Sequence, residues 1–172
     1  MRKLVIYFML LFCMKTAYAQ SATKKFGQTM FDIFKNDSIA VLPKYRLPEN
    51  DLITFLTSHK IDTAREQIKK YISNYADITT AFFQKCAAIE NDSTKYPTWK
   101  NAELLEIHLK RNGSAEPDAD ENDGSNHFYL MAFIKSGTKK YRFELEIMKY
   151  QDKWLLGNYV ECYLTDFDLL NE

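Results

Sequence analysis

The first half of the chain carries apolar residues at helical spacing. Between residues 26 and 35 they recur every three or four positions, which places them on one side of a helix. Pro48, followed by acidic residues, predicts the start of a short second helix. Thr63-Ala-Arg-Glu66 has the form of a capping box and predicts a third helix start. Helical spacing continues to residue 89, with residues 77–80 as the place where the helix either breaks or bends.

After Pro97 the pattern changes from helical to alternating or continuously apolar. Four segments have the pattern of strands: 105–110, 128–134, 141–148 and 154–164. Ser136-Gly137 and Gln151-Asp152 predict tight turns between the later strands. Helices first, then strands joined by short loops, predict an α+β fold in which N-terminal helices pack on a curved antiparallel sheet of about four strands.

The N-terminal segment has the composition of a secretory signal peptide. Arg2 and Lys3 precede an apolar run over residues 4–14, and Ala17-Tyr18-Ala19 supplies small residues at a cleavage point. The run is too short to span a bilayer, which requires about 20 apolar residues. We therefore expect a signal peptide over residues 1–19, cleavage after Ala19, a secreted or periplasmic location, and a single α+β domain over residues 20–172.

The charge balance argues against two classes of partner. The chain has 23 basic and 23 acidic residues, and the mature chain is slightly acidic because the signal segment contains basic residues and no acid. Nucleic-acid binding depends on neutralising phosphates, and anionic membrane surfaces attract clusters of lysine and arginine. We therefore expect no nucleic-acid partner and no attraction to an anionic membrane surface. The short apolar run predicts that the protein does not span a membrane.

The order of elements and the last hairpin resemble the cone-shaped, cystatin-like folds of the nuclear transport factor 2 superfamily. The hairpin reads Tyr141-Arg-Phe-Glu-Leu-Glu-Ile-Met-Lys-Tyr-Gln-Asp-Lys-Trp154, a strand, a tight polar turn, and then Lys-Trp at the start of another strand. The resemblance covers residues 49–164. It implies helices folded over one sheet face. Families with this fold include enzymes, ligand binders and dimerisation modules, so the resemblance does not define a function.

Two cysteines remain after removal of the signal segment, Cys86 and Cys162. In an oxidising compartment an even number permits one disulfide, and the alternative is two buried free thiols. The resemblance implies that the helix carrying Cys86 and the strand carrying Cys162 pack together, so both alternatives stay open.

The sequence contains no established metal-binding or catalytic motif. His59, His108 and His127 are far apart and lack metal-ligand spacing. The acidic segment 112–126 begins like a calcium-binding loop, but its glycine comes one position late and Tyr129 occupies the place of the bidentate glutamate. We therefore expect this segment to be a hydrated loop that binds calcium weakly or not at all.

Glu144 and Glu146 lie two residues apart on a predicted strand and share one face of it. Because Phe143, Leu145 and Ile147 form the apolar face, the two carboxylates are expected to point to solvent and to balance nearby charges in water. A shift of register by one residue would exchange the two faces.

These observations predict an exported, non-enzymatic binding module without cofactor, metal site or catalytic residue. It would act on an unknown protein partner or as a homodimer through the outer face of the sheet. One alternative is a small-ligand carrier with a pocket between helices and sheet, and a less favoured one is an enzyme with a pocket carboxylate as acid or base. A filled core with a large exposed aromatic patch would favour the interaction module. A deep pocket with a buried carboxyl of raised pKa would favour the enzyme, and a deep apolar pocket without one would favour the carrier.

Overall fold

The computed structural model describes residues 22–111, 119 and 127–165. Helix α1 is described from residue 22 to residue 35. A 3-10 helix over Ile39–Tyr45 follows, and then helices α2 (Glu49–Ser58), α3 (Glu66–Ser73) and α4 (Tyr75–Asn91). A 3-10 turn over Trp99–Asn101 leads to strands β1 (Glu103–Arg111), β2 (His127–Ser136), β3 (Lys139–Tyr150) and β4 (Lys153–Leu164).

The strands form one antiparallel sheet in the order β1-β2-β3-β4, so each strand pairs with its neighbour in sequence. The turn before β3 contains Gly137 with a φ of 63°. The turn before β4 contains Gln151 and Asp152 with φ values of 48° and 60°, and two successive positive values match the twist of a tight hairpin. The predicted α+β fold, with N-terminal helices preceding a curved antiparallel sheet, is confirmed.

The main core lies between the helices and the inner face of the sheet. Phe34 of α1 packs edge to face on Phe143 of β3, with ring centroids 4.8 Å apart, and Trp99 contacts both rings. The apolar spacing of residues 26–35 is thereby explained, because it turns one face of α1 toward the sheet. The following large side chains are fully buried: Phe34, Phe128, Phe143, Met30, Leu42, Leu52, Ile89, Leu130, Ile134, Leu145, Ile147 and Leu156.

A smaller apolar cluster lies where α2 and α3 fold against the β3–β4 hairpin. Leu52, Leu56 and Tyr75 are buried in it, and Tyr150 and Leu155 of the hairpin pack against it. Helix α3 contains no buried residue. It therefore forms a thin outer layer over this end of the molecule.

One local prediction is wrong, and one of two alternatives at another place is excluded. Thr63 does not cap the third helix, which begins at Glu66 after Arg65. The Asp62 carboxylate instead accepts from the backbone N–H of Ala64 at 3.0 Å, and this local turn replaces the predicted capping box. Of the two alternatives for residues 77–80, the break is excluded, because α4 runs through them without interruption and the break lies at Asn74, between α3 and α4.

The predicted signal peptide over residues 1–19 lies outside the described residues, and so does the acidic segment 112–126 except for residue 119. In the part of the chain that the structure describes, no helix combines the length and the hydrophobicity that crossing a membrane requires.

Candidate functional site

An irregularity in the β3–β4 ladder organises a polar network. Leu145 pairs with Val160 and Ile147 pairs with Leu156, so three residues of β4 lie opposite Glu146 alone. Such a bulge leaves backbone N–H groups of the longer strand without partners in the ladder. The Glu146 side chain supplies the missing acceptor.

Three donors hold the Glu146 carboxylate. They are the backbone N–H of Asn158, the backbone N–H of Tyr159 at 3.0 Å, and Nε2 of His127. Burial opposes ionisation, but these hydrogen bonds and the charge of His127 hold the pKa of Glu146 below its ordinary value. Gly157 makes the arrangement sterically feasible, because a Cβ at this position would overlap Cγ and the carboxyl group of Glu146.

Arg46 joins the network from the helical half of the chain and is only 6% exposed. Its guanidinium donates to the backbone carbonyls of Leu156 at 3.2 Å and of Gly157, to Oγ1 of Thr79 at 3.0 Å, and to Oδ1 of Asn158 at 2.7 Å. None of these acceptors is a carboxylate. The two terminal nitrogens of the guanidinium make all four bonds, while Nε is buried without a hydrogen-bond partner. Because a buried charge is tolerated when it is hydrogen-bonded, Arg46 and the bulge stabilise each other, and we assign this network a structural role.

A second polar group of residues surrounds a cleft of about 610 Å³. The cleft lies between the C-terminal ends of α1 and α4 and the turn at Trp99. Its charged lining residues are Lys35, Asp37, Glu90 and Lys100. Both signs of charge thus meet around a cleft whose aromatic lining residues, Phe34 and Trp99, are themselves buried.

The end of α1 positions Asp37 at this cleft. The N–H of Ser38 donates to the carbonyl of Ile33 at 2.9 Å, and the N–H of Asp37 donates to the carbonyl of Phe34 at 3.3 Å. These two bonds form a Schellman C-cap, whose left-handed residue here is Asp37, with a φ of 53°. Aspartate is among the few non-glycine residues that adopt this conformation readily.

Glu90 of α4 and Asp37 at the end of α1 both line this cleft. Burial raises the pKa of Glu90 to about 7, the charge of Asp37 and the bond between the carboxyls raise it as well, and the backbone N–H of Ile39 opposes them. Glu90 Oε1 is buried without a hydrogen-bond partner. The Glu90 carboxyl is therefore partly protonated near neutral pH. Sequence reasoning missed this pair because no local pattern connects its members.

Glu144 and Glu146 do point away from the face that Phe143 and Leu145 form, but their side chains are only 13% and 15% exposed. Glu144 lies 2.9 Å from Nε of Arg142, which also donates to the Tyr163 hydroxyl. The expectation that these carboxylates simply balance charges in water is therefore wrong, because ordered partners on the outer face surround them.

Cys86 and Cys162 are both buried, and both are free thiols in the structure. Burial raises the pKa of each thiol to about 12. Neither sulfur is therefore a thiolate at ordinary pH, and a disulfide between them stays a prediction.

The three histidines each contact a nearby acceptor or acid. His59 Nδ1 lies 2.8 Å from the carbonyl of Phe55, His108 Nε2 lies 2.8 Å from Glu106, and His127 binds Glu146. Among the described residues, no three side chains of His, Cys, Asp or Glu are placed together to hold a metal ion.

A scan against protein-family models, a search of curated proteins and a search of solved structures each found no match. The interpretation of function therefore depends on the geometry of this chain, and the resemblance to the nuclear transport factor 2 superfamily stays a prediction.

Proposed function

We propose that the protein is an exported, non-enzymatic binding module that engages its partner at the surface. The observation that carries the proposal is the filled interior, where Phe34, Phe128 and Phe143 are fully buried between helices and sheet. A carrier of apolar ligands needs that space. The buried polar groups Arg46 and Glu146 are engaged by the bulge, so they serve the fold.

The cleft at the ends of α1 and α4 is the surface that we assign to the partner. Its lysines and carboxyl groups present both signs of charge next to Trp99. Charged and polar groups of this kind are typical of the rim of a protein interface. We therefore infer that the partner is a protein segment carrying charges of both signs.

The outer face of the sheet offers less to a second copy of the chain. Met131 and Phe133, at the centre of this face, are already 4% and 2% exposed within one chain. A homodimer formed there would add little apolar burial at these positions, and burial of apolar surface drives most association. The homodimer through the sheet is therefore our second choice of interface.

One observation favours an enzyme as the alternative. A carboxyl group with a pKa of about 7 in a cleft is suited to general acid–base catalysis. In that case Glu90 would be the acid or base, and Glu90→Gln would abolish turnover while leaving partner capture intact.

Site-specific photo-crosslinking in the producing cells tests the proposal. A photoreactive residue at position 100, in the cleft, is compared with one at position 69, on the exposed side of α3, and both positions are exposed lysines. We expect one defined adduct from position 100 and none from position 69. Equal adducts from both positions, or an adduct from position 69 alone, would contradict the assignment.

The mass of the captured species distinguishes a different protein partner from a second copy of this chain. An adduct with a second copy of the chain would identify a homodimer at the cleft. The exported protein should also begin at Gln20 in intact-mass analysis, and a chain beginning at Met1 would contradict export with signal cleavage.

A further inference from the structure

Two buried apolar residues of β2 lie on the outer face of the sheet, opposite the helices. Met131 and Phe133 are 4% and 2% exposed. Their neighbours Leu130, Ala132 and Ile134 belong to the main core, whereas neither apolar cluster of the described residues contains Met131 or Phe133. Because successive strand residues point to opposite faces, these two side chains are buried on the side away from the core.

The contacts of Phe133 within the sheet are lateral. The His108 ring packs edge to face on it, with ring centroids 5.5 Å apart. Arg142, its partner on β3, turns its guanidinium toward Tyr163 of β4. Neighbours within a sheet lie beside a side chain, and a face that is buried this completely requires a further layer over it.

We propose that residues 166–172, which follow β4, form this layer by docking on the outer face of the sheet over Met131 and Phe133. The proposal goes beyond the proposed function and does not depend on it, because it assigns an occupant to a face that the cleft does not include.

Strand β4 brings this segment close to the buried residues. The N–H of Thr165 donates to the carbonyl of Lys140 at 3.0 Å, so the chain is still paired with β3 at that point. Phe133 pairs with Arg142, and Arg142 pairs with Tyr163, which places Phe133 two strands away from the end of β4. Two strand spacings are about 10 Å, and seven extended residues span about 23 Å. The segment is therefore long enough to cross the face.

The composition of the segment matches this surface. It reads Asp166-Phe-Asp-Leu-Leu-Asn-Glu172 and so combines large apolar side chains with acidic ones. The apolar side chains gain free energy by covering Met131 and Phe133. The adjoining ends of β2 and β3 carry Lys135, Lys139 and Lys140, and their charges attract the acidic residues of the segment.

Two other segments outside the described residues lack these properties. Residues 112–126 contain no large aliphatic or aromatic side chain, and they connect β1 to β2 at the end of the sheet remote from Phe133. Residues 1–19 are expected to be removed with the signal peptide. The segment after β4 is therefore the occupant that the sequence favours.

Thiol labelling at the covered face tests the proposal. Met131→Cys is prepared in the full chain and in a chain that ends at Thr165, and the slow reaction of Cys86 and Cys162 is subtracted as background. We expect the new thiol to react about tenfold faster in the shortened chain, because removal of the cover opens position 131 to the reagent. Ala132→Cys is the matched control: this position is 1% exposed on the inner face, so its thiol should react slowly in both chains.

A second variant keeps the length of the chain. Leu169→Ser/Leu170→Ser removes apolar contacts of the segment and should accelerate labelling of Met131→Cys as the shortening does, whereas Asn171→Ser should leave the rate unchanged. If the shortened chain unfolds, the Ala132→Cys thiol reacts faster as well, and the double variant then decides.

Two outcomes would overturn the proposal. One is an equal labelling rate of Met131→Cys with and without the Leu169→Ser/Leu170→Ser change. The other is protection of Met131→Cys that is lost on dilution of the full chain, because a second copy of the chain would then be the cover.

Discussion

Gly157 and Glu146 should be strongly coupled in their effect on stability. Gly157→Ala places a methyl group where Cγ and the carboxyl group of Glu146 lie, so the carboxylate must leave the bulge. Backbone strain does not contribute, because Gly157 lies outside the left-handed region that Gly137 occupies. The substitution therefore acts through the displaced side chain alone.

The expected magnitude comes from the donors that lose their acceptor. Displacement of the carboxylate leaves the backbone N–H groups of Asn158 and Tyr159 unpaired. A fully buried group left unpaired costs about 1–3 kcal/mol. Because these two bonds are only partly buried, we expect Gly157→Ala to lower the free energy of unfolding by about 2–4 kcal/mol, the lower part of the range for two such groups. Glu146→Ala removes the same acceptor and should cost a similar amount. In the double variant the overlap no longer exists, so its loss should match that of one single variant.

Urea denaturation of the wild type, the two single variants and the double variant measures this coupling, with tryptophan fluorescence as the signal. Gly137→Ala is the matched control, because its φ of 63° makes alanine costly while no neighbouring atom lies within 4 Å of the added carbon. The loss of unfolding free energy from Gly137→Ala should add to the loss from Glu146→Ala. Additivity of Gly157→Ala and Glu146→Ala within about 0.5 kcal/mol would refute the reasoning.

Three further predictions follow from burial and hydrogen bonding. Leu145→Ala should cost about 2–5 kcal/mol in denaturant unfolding, because Leu145 is 1% exposed, and Glu144→Ala on the opposite face should cost about 1 kcal/mol or less; a larger loss at Glu144 would indicate the wrong register. Arg46→Lys should cost about 2–4 kcal/mol in thermal unfolding, because an ammonium cannot serve the four acceptors of the guanidinium; an unchanged midpoint would contradict this. Cys86 and Cys162 should resist a thiol reagent in the native protein and both react after unfolding, whereas no reaction in either state would establish a disulfide.

The alternation along β3 could be predicted from the sequence because it depends on a local property. Successive strand residues point to opposite faces, so Phe143, Leu145 and Ile147 had to share one face. The same reasoning could not find the bulge, which depends on how many residues each of two strands contributes between paired positions. Gly157 was the available signal, since glycine inside a strand often marks a bulge or a close approach.

The candidate site was harder to predict than the fold. Asp37 and Glu90 belong to different helix ends, and only the packing of α1 and α4 on one sheet brings them together. The capping box at Thr63 failed for a related reason: a motif of the right composition competes with neighbours, and Asp62 provided a closer acceptor for the chain at that point.

The division of the chain into helices first and sheet second has a consequence for its synthesis. Phe34 and Ile89 on the helices share a core with Val160 and Cys162 of β4, so the helices are made before the surface that covers them. A nascent chain therefore displays amphipathic helices with nothing to pack against, and incompletely packed chains of this kind are substrates for chaperones. The core that the helices share with β4 can therefore be completed only after the last strand has been made.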